Sequence, residues 1–127
     1  MTGTVRVVRP PSGDEDGGWL ATTSIPIAAE EPVFAGHYPG FPIFPGLCVV
    51  DCVDRSARLA APPGAGGLTL AGVESIRFVG AVHPGDGLTI DLSWNREGES
   101  WRCAARARTE RAEAATVRLR YHGGGRG

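Results

Sequence analysis

The chain contains no lysine; all thirteen of its basic residues are arginine, set against fourteen acidic residues for a net charge of −1. That balance excludes bulk electrostatic attraction to nucleic acid or to an anionic membrane. Cysteine is scarce and odd in number, with only Cys48, Cys52 and Cys103, which excludes a closed disulfide framework and makes reduced, buried thiols the expectation. No apolar run approaches the ~18–20 residues of a membrane-spanning helix. The opening stretch MTGTVRVVRPPSGDEDGG lacks an apolar core, so no signal peptide is expected and the protein is read as cytoplasmic. At 127 residues the chain is read as a single domain with one modest core, 1–24 supplying N-terminal strands and 123–127 a frayed tail.

What is present is patterned. TVRVVR (4–9) and WLATTSIPI (19–27) read as strands on either side of a polar, glycine-rich turn. Four prolines between 32 and 45 exclude a regular helix or ladder there. From Gly46 to about Ala61 proline disappears, and Leu47, Val50, Val53 and Ala57 recur at helical spacing. Pro45 suits the first turn of that helix, and APPGAGG ends it. Strands follow at 68–82, 88–94, 101–108 and 115–122. In the second, Leu88, Ile90, Leu92 and Trp94 alternate with Thr89, Asp91 and Ser93; in the last two, Arg102, Arg106, Arg108, Arg118 and Arg120 fall on the outward positions. One long helix with an antiparallel run of strands is an α+β architecture, in which the sheet curls around the helix. One helix cannot seal five or six strands, so a dimer is expected to cover the remainder.

The segment GHYPGFPIFPGLCVVDC (36–52) spends three prolines on a turn that separates His37 from Asp51, the latter one turn into the helix. With its flanks, FAGHYPGFPIFPGLCVVDCVDRSA resembles the signature segment of the β-hydroxyacyl-acyl-carrier-protein dehydratases of the hotdog fold. A second stretch, IRFVGAVHPGDGLTIDL, resembles the same family's Arg-Phe … Pro-Gly-Asp strand-turn-strand, and the likeness runs from roughly Ile25 to His122. The resemblance implies an antiparallel sheet wrapped around one central helix. It implies removal of water from a 3-hydroxyacyl thioester on an acyl carrier protein, in fatty-acid-type or polyketide biosynthesis, with no cofactor and no metal. It also implies a homodimer or heterodimer, with pairing into a hexamer left open, in which the acid residue reaches the site from the partner subunit.

The chemistry fits the residues. Dehydration removes a proton from C2 and expels the C3 hydroxyl, so it needs a base, an acid for the leaving oxygen and donors to the thioester carbonyl. His37 suits the base, an imidazole titrating near ~6.5. Asp51 suits the acid where apolar neighbours favour a protonated carboxyl. Gly46 and Leu47 carry free N–H groups at the positive end of the helix dipole, and a glycine there lets a thioester approach closely. Gly46, Leu47, Phe44 and Arg55 are read as the substrate-binding set.

Plainer readings stand beside these. Asp51, Asp54, Arg55 and Arg58 form a polar stripe that solvation alone explains. Cys48 and Cys52 make a poor metal site and read as small core residues, while Asp86 in PGD reads as a turn cap. One departure from the family is specific: it usually carries a glutamine one turn past the acidic residue, and here that position is Arg55, a cation that favours an ionised carboxylate at i−4. This leaves open a non-catalytic partner subunit of a paired dehydratase, and a hotdog thioesterase in which an ionised Asp activates water.

Overall fold

The structure is a computed structural model that describes residues 4–13, 18–28 and 46–123. His37 and Phe44 lie outside the described residues, as does the expected tail at 123–127 apart from Gly123, which instead ends the last strand. The elements are β1 (Arg6–Gly13), β2 (Trp19–Pro26), α1 (Gly46–Leu59), β3 (Leu68–Phe78), β4 (Gly87–Glu97), β5 (Ser100–Arg108) and β6 (Glu113–Gly123). The strands form one antiparallel sheet of six in the order β1-β2-β4-β5-β6-β3, so β3 crosses to the far edge beside β6. The α+β architecture expected from the pattern is the one observed.

Alternation places the core. Leu88, Ile90, Leu92 and Trp94 on β4 are each at most 1% exposed. Across the ladders they meet Cys103, Ala105 and Ala107 of β5, which in turn face Leu119, Val117 and Ala115 on β6, while Trp101 faces Tyr121. Trp94 packs edge-on to Trp101 and tilted against Tyr121, with centroids 6.2 and 5.7 Å apart. The outward arginines are where alternation put them, and most are already paired: Arg106 with Glu113, Arg108 with Asp91, and both Arg102 and Arg120 with Glu74. That face is a solvated ion-pair lattice more than a free basic patch.

The helix is rotated from its expected phase. Its buried residues are Cys48, Val49, Cys52, Val53, Ser56 and Ala57, whereas Leu47 is 82% exposed and Val50 is half-buried. Hydropathy favours Leu47 as a core residue, but the curled sheet favours small side chains that let the helix approach, and cysteine and serine satisfy that. Ser56 also accepts a hydrogen bond at 2.7 Å from Thr23 Oγ1 on β2, both fully buried, which anchors the rotation. The cysteines are thus core residues, and burial pushes the Cys103 thiol pKa far up, leaving it inert.

The turn after β3 is locked. Asp86 accepts the His83 N–H at 2.7 Å, the cap its motif predicts. It also takes both guanidinium N–H groups of Arg111 at 2.9 and 2.7 Å. Burial alone would raise the Asp86 pKa, but these bonds outweigh it and hold the carboxyl below the usual range. The turn then grips β2's exit: Ile27 N–H donates to Asp86 O, and Gly85 N–H to Ile27 O.

Candidate active site

Leu47, Asp51, Asp54 and Arg58 follow one another at i, i+4, i+7 and i+11, so they share one flank of α1. Contacts at both ends set the direction in which the helix crosses the sheet. At the N-terminal end Gly46 lies under the ring of Phe78; a Cβ there would come 2.6 Å from Phe78 Cζ. At the other end Arg58 Nη1 donates to the Leu68 carbonyl at 2.9 Å. The helix therefore runs antiparallel to β3.

The sheet edge at β3 is uncovered. Leu70, Val73, Ile76 and Phe78 pair with Tyr121, Leu119, Val117 and Ala115, all buried on the inner face, yet they are themselves 37%, 46%, 40% and 52% exposed. The expectation that one helix cannot seal this sheet is met at this strand.

Asp51 sits midway along the flank, half-buried, and makes no hydrogen bond or ion pair with another described residue. Its neighbour one turn on is fully engaged. Tyr121 O–H donates to Asp54 Oδ1 at 2.6 Å, and Arg58 Nε lies 3.1 Å from both Asp54 oxygens. The Arg58 guanidinium also sits 5.6 Å from the centre of the Tyr121 ring. Burial, and then the bond to Asp54, push the Tyr121 hydroxyl pKa well up, so it stays a donor. The i, i+4 pair of this helix is therefore Asp54–Arg58, not Asp51–Arg55, because Tyr121 and Arg58 converge on Asp54. Arg55 itself is half-buried.

Of the residues singled out in the sequence, the structure places Gly46, Leu47, Asp51 and Arg55 on the first turns of α1. The space beside Gly46 is occupied by Phe78, which gives that glycine a packing reason besides the expected close approach of a thioester. The first N–H groups of the helix have no intrahelical partner by construction. Tyr121 was missed. Its signal lay in the β6 alternation, which turns Arg118 and Arg120 outward and so turns a tyrosine inward, where its hydroxyl needs a partner. Among the described residues no group of three or more His, Cys, Asp or Glu is arranged to hold a metal ion, and no helix is long and apolar enough to cross a membrane.

Comparison with known proteins agrees with this fold. A family model described as ApeI-like, ApeI dehydratase, matches residues 14–117. The 3-hydroxyacyl-acyl-carrier-protein dehydratase FabZ of Thermus thermophilus is 38% identical over 102 residues, covering 75% of this chain and 71% of the relative. The FabZ of Chloroflexus aggregans is 39% identical over 74 residues, covering 55% of this chain and 51% of the relative. The chain thus matches about half the length of several such relatives. Among solved structures, the dehydratase heterocomplex ApeI:P from Xenorhabdus doucetiae superposes with a TM-score of 0.68 at 18% identity, over 94% of this chain and 98% of that one. A hypothetical thioesterase with coenzyme A from Streptococcus pneumoniae gives 0.75 at 10% identity, over 97% and 90%. These likenesses establish the hotdog fold, which serves both a dehydratase complex and a thioesterase.

Proposed function

Because the chain belongs to the ApeI-like dehydratase family, we propose that it removes water from a 3-hydroxyacyl thioester on an acyl carrier protein, giving the trans-2-enoyl thioester for fatty-acid-type or polyketide synthesis. The observation that carries this reading is Asp51: a half-buried carboxyl, uncommitted among the described residues, on a helix that runs antiparallel to a strand with open apolar side chains. In the proposed reaction His37 takes a proton from C2 as the C2–C3 double bond forms. Asp51 gives a proton to the departing C3 oxygen, which leaves as water. The helix N-terminus at Gly46 and Leu47 holds the thioester oxygen as negative charge develops on it.

The uncovered inner side of β3 supports a dimer, homomeric or with a related chain, whose second subunit covers Leu70, Val73, Ile76 and Phe78. In that arrangement His37 of one subunit works with Asp51 of the other. The same reading places the protein in the cytoplasm, in keeping with three buried cysteines.

Intact-mass measurement after incubation with a 3-hydroxyacyl carrier-protein thioester tests the reaction. Loss of water is expected for the wild type, with His37→Ala and Asp51→Asn each slowed by about 10²–10⁴. Loss of the acyl group would make the protein a thioesterase, and an unchanged mass a binding partner.

A further inference from the structure

We propose that Asp86 and Arg111 are positioning residues for the reaction: they fix the point at which the chain leaves β2 on its way to His37; this rests on the dehydratase reading and names residues outside its site. The β2–β4 ladder ends at the pair Pro26 and Gly87, and proline offers no N–H. One residue further on, Ile27 commits both of its backbone groups to the turn at 83–87. Its N–H donates to the Asp86 carbonyl at 2.8 Å, and its carbonyl accepts the Gly85 N–H at 2.7 Å. Its side chain is buried as well. Ile27 stands ten positions ahead of His37, and these two bonds are its hold on the rest of the fold at the end of the strand.

The grip is only as firm as the turn, and the turn is held by the connection between β5 and β6. Within the turn, the Asp86 N–H donates to the His83 carbonyl at 3.1 Å and the Asp86 carboxylate accepts the His83 N–H at 2.7 Å. The long-range bonds come from two neighbouring residues of the connection. Arg111 donates to both Asp86 oxygens at 2.9 and 2.7 Å, and Glu110 Oε2 accepts the Gly87 N–H at 3.1 Å. A guanidinium only donates, so the 2.7 Å contact of Arg111 Nη2 with His83 Nδ1 makes that ring nitrogen the acceptor. The connection is itself a closed turn: Thr109 N–H donates to the Ala112 carbonyl, and Arg111 N–H to Thr109 Oγ1. A surface ion pair needs neither a carboxylate that is 6% exposed nor a second hold from the adjacent residue. Without Arg111 that carboxylate would keep only the His83 N–H, an unfavourable state that the turn relieves by opening toward water. Ile27 would lose its fixed partners in the same movement. Misplacing a reacting group by about 1 Å costs as much as about 10²-fold in rate, so a distant anchor acts on turnover.

The test combines turnover of a 3-hydroxyacyl carrier-protein thioester with hydrogen exchange at the Ile27 amide, on wild type, Asp86→Asn, Arg111→Gln and Arg111→Lys. Arg102→Gln, which removes an exposed ion pair on the outer face of the sheet, is the control. In Asp86→Asn and Arg111→Gln, folded at the assay temperature, kcat should fall by about tenfold or more with KM within about twofold, because binding is kept and geometry is lost. Arg111→Lys, which keeps the charge without the fork, should recover part of the loss. The Ile27 amide should exchange as slowly as the β2–β4 ladder in the wild type and faster in the two variants, while the control changes neither quantity. An unchanged kcat in folded Asp86→Asn and Arg111→Gln overturns the proposal, and so does an equal fall in Arg102→Gln. An Ile27 amide that is unprotected in the wild type overturns it too, and this arm decides even if the variants do not fold. A wild type that releases no water fails the dehydratase reading instead; faster Ile27 exchange in the variants would then retain the anchor and remove the reaction it serves.

Discussion

The ring of Phe78 lies on the first residue of the helix, so close that a Cβ at Gly46 would come 2.6 Å from its Cζ. This contact joins the open edge strand to the end of the helix that carries the proposed carbonyl-binding N–H groups. It couples two features that are thirty-two positions apart in sequence.

Gly46→Ala should push that ring aside. Phe78 is half exposed and can swing, so the expected cost is modest, about 1 kcal/mol of stability. The cost should vanish in a Phe78→Ala background. Equilibrium unfolding of the two single variants and the double gives the coupling; strict additivity would mean that the contact carries no energy.

Thr23 and Ser56 form a fully buried hydroxyl pair between β2 and α1. Thr23→Val leaves the Ser56 oxygen short of a donor and should cost about 1–3 kcal/mol. Adding Ser56→Ala removes the orphaned group, so the double variant should be more stable than Thr23→Val alone. A double variant that is worse by the sum of its parts would remove this pair as the anchor of helix rotation.

The Asp86–Arg111 latch has a defined pH window. Its folded carboxyl pKa is depressed by the bonds from Arg111 and the His83 N–H. The latch's stabilisation is therefore complete above the ordinary Asp value of ~3.9 and is lost as pH falls through the lower folded value. Arg111 is more than half exposed, so solvent screening keeps the effect small. Urea unfolding should show wild type more stable than Asp86→Asn at neutral pH, with the difference shrinking only in strong acid. A difference that is constant down to the acid limit would contradict the assignment.

Ile76 faces inward on β3 yet is 40% exposed. Ile76→Asp should leave the isolated fold intact, because the side chain has no buried position to lose, and should abolish the proposed dimer. Sedimentation reads this directly; a wild-type monomer, or a variant that remains dimeric, would place the subunit contact elsewhere or nowhere.

Much of this was written in the chain itself. The period-two alternation of β4, β5 and β6 fixes which side chains enter the core, since one buried face makes register unforgiving. The proline-free stretch after Pro45 fixes a helix, and Asp51 one turn into it follows from counting. The PGD turn announces its capping carboxylate. What remained illegible depended on contacts between distant segments. The phase of α1 was set by the shape of the curled sheet and by Thr23, thirty-three residues away, so that Leu47 faces out and two cysteines face in. Asp54 is drawn into a network by Tyr121, sixty-seven residues on, which leaves Asp51 uncommitted among the described residues in a stripe that otherwise reads as uniform. A stripe's spacing shows only which residues share a flank. The groups that meet that flank come from other strands, and only the closed sheet brings them there.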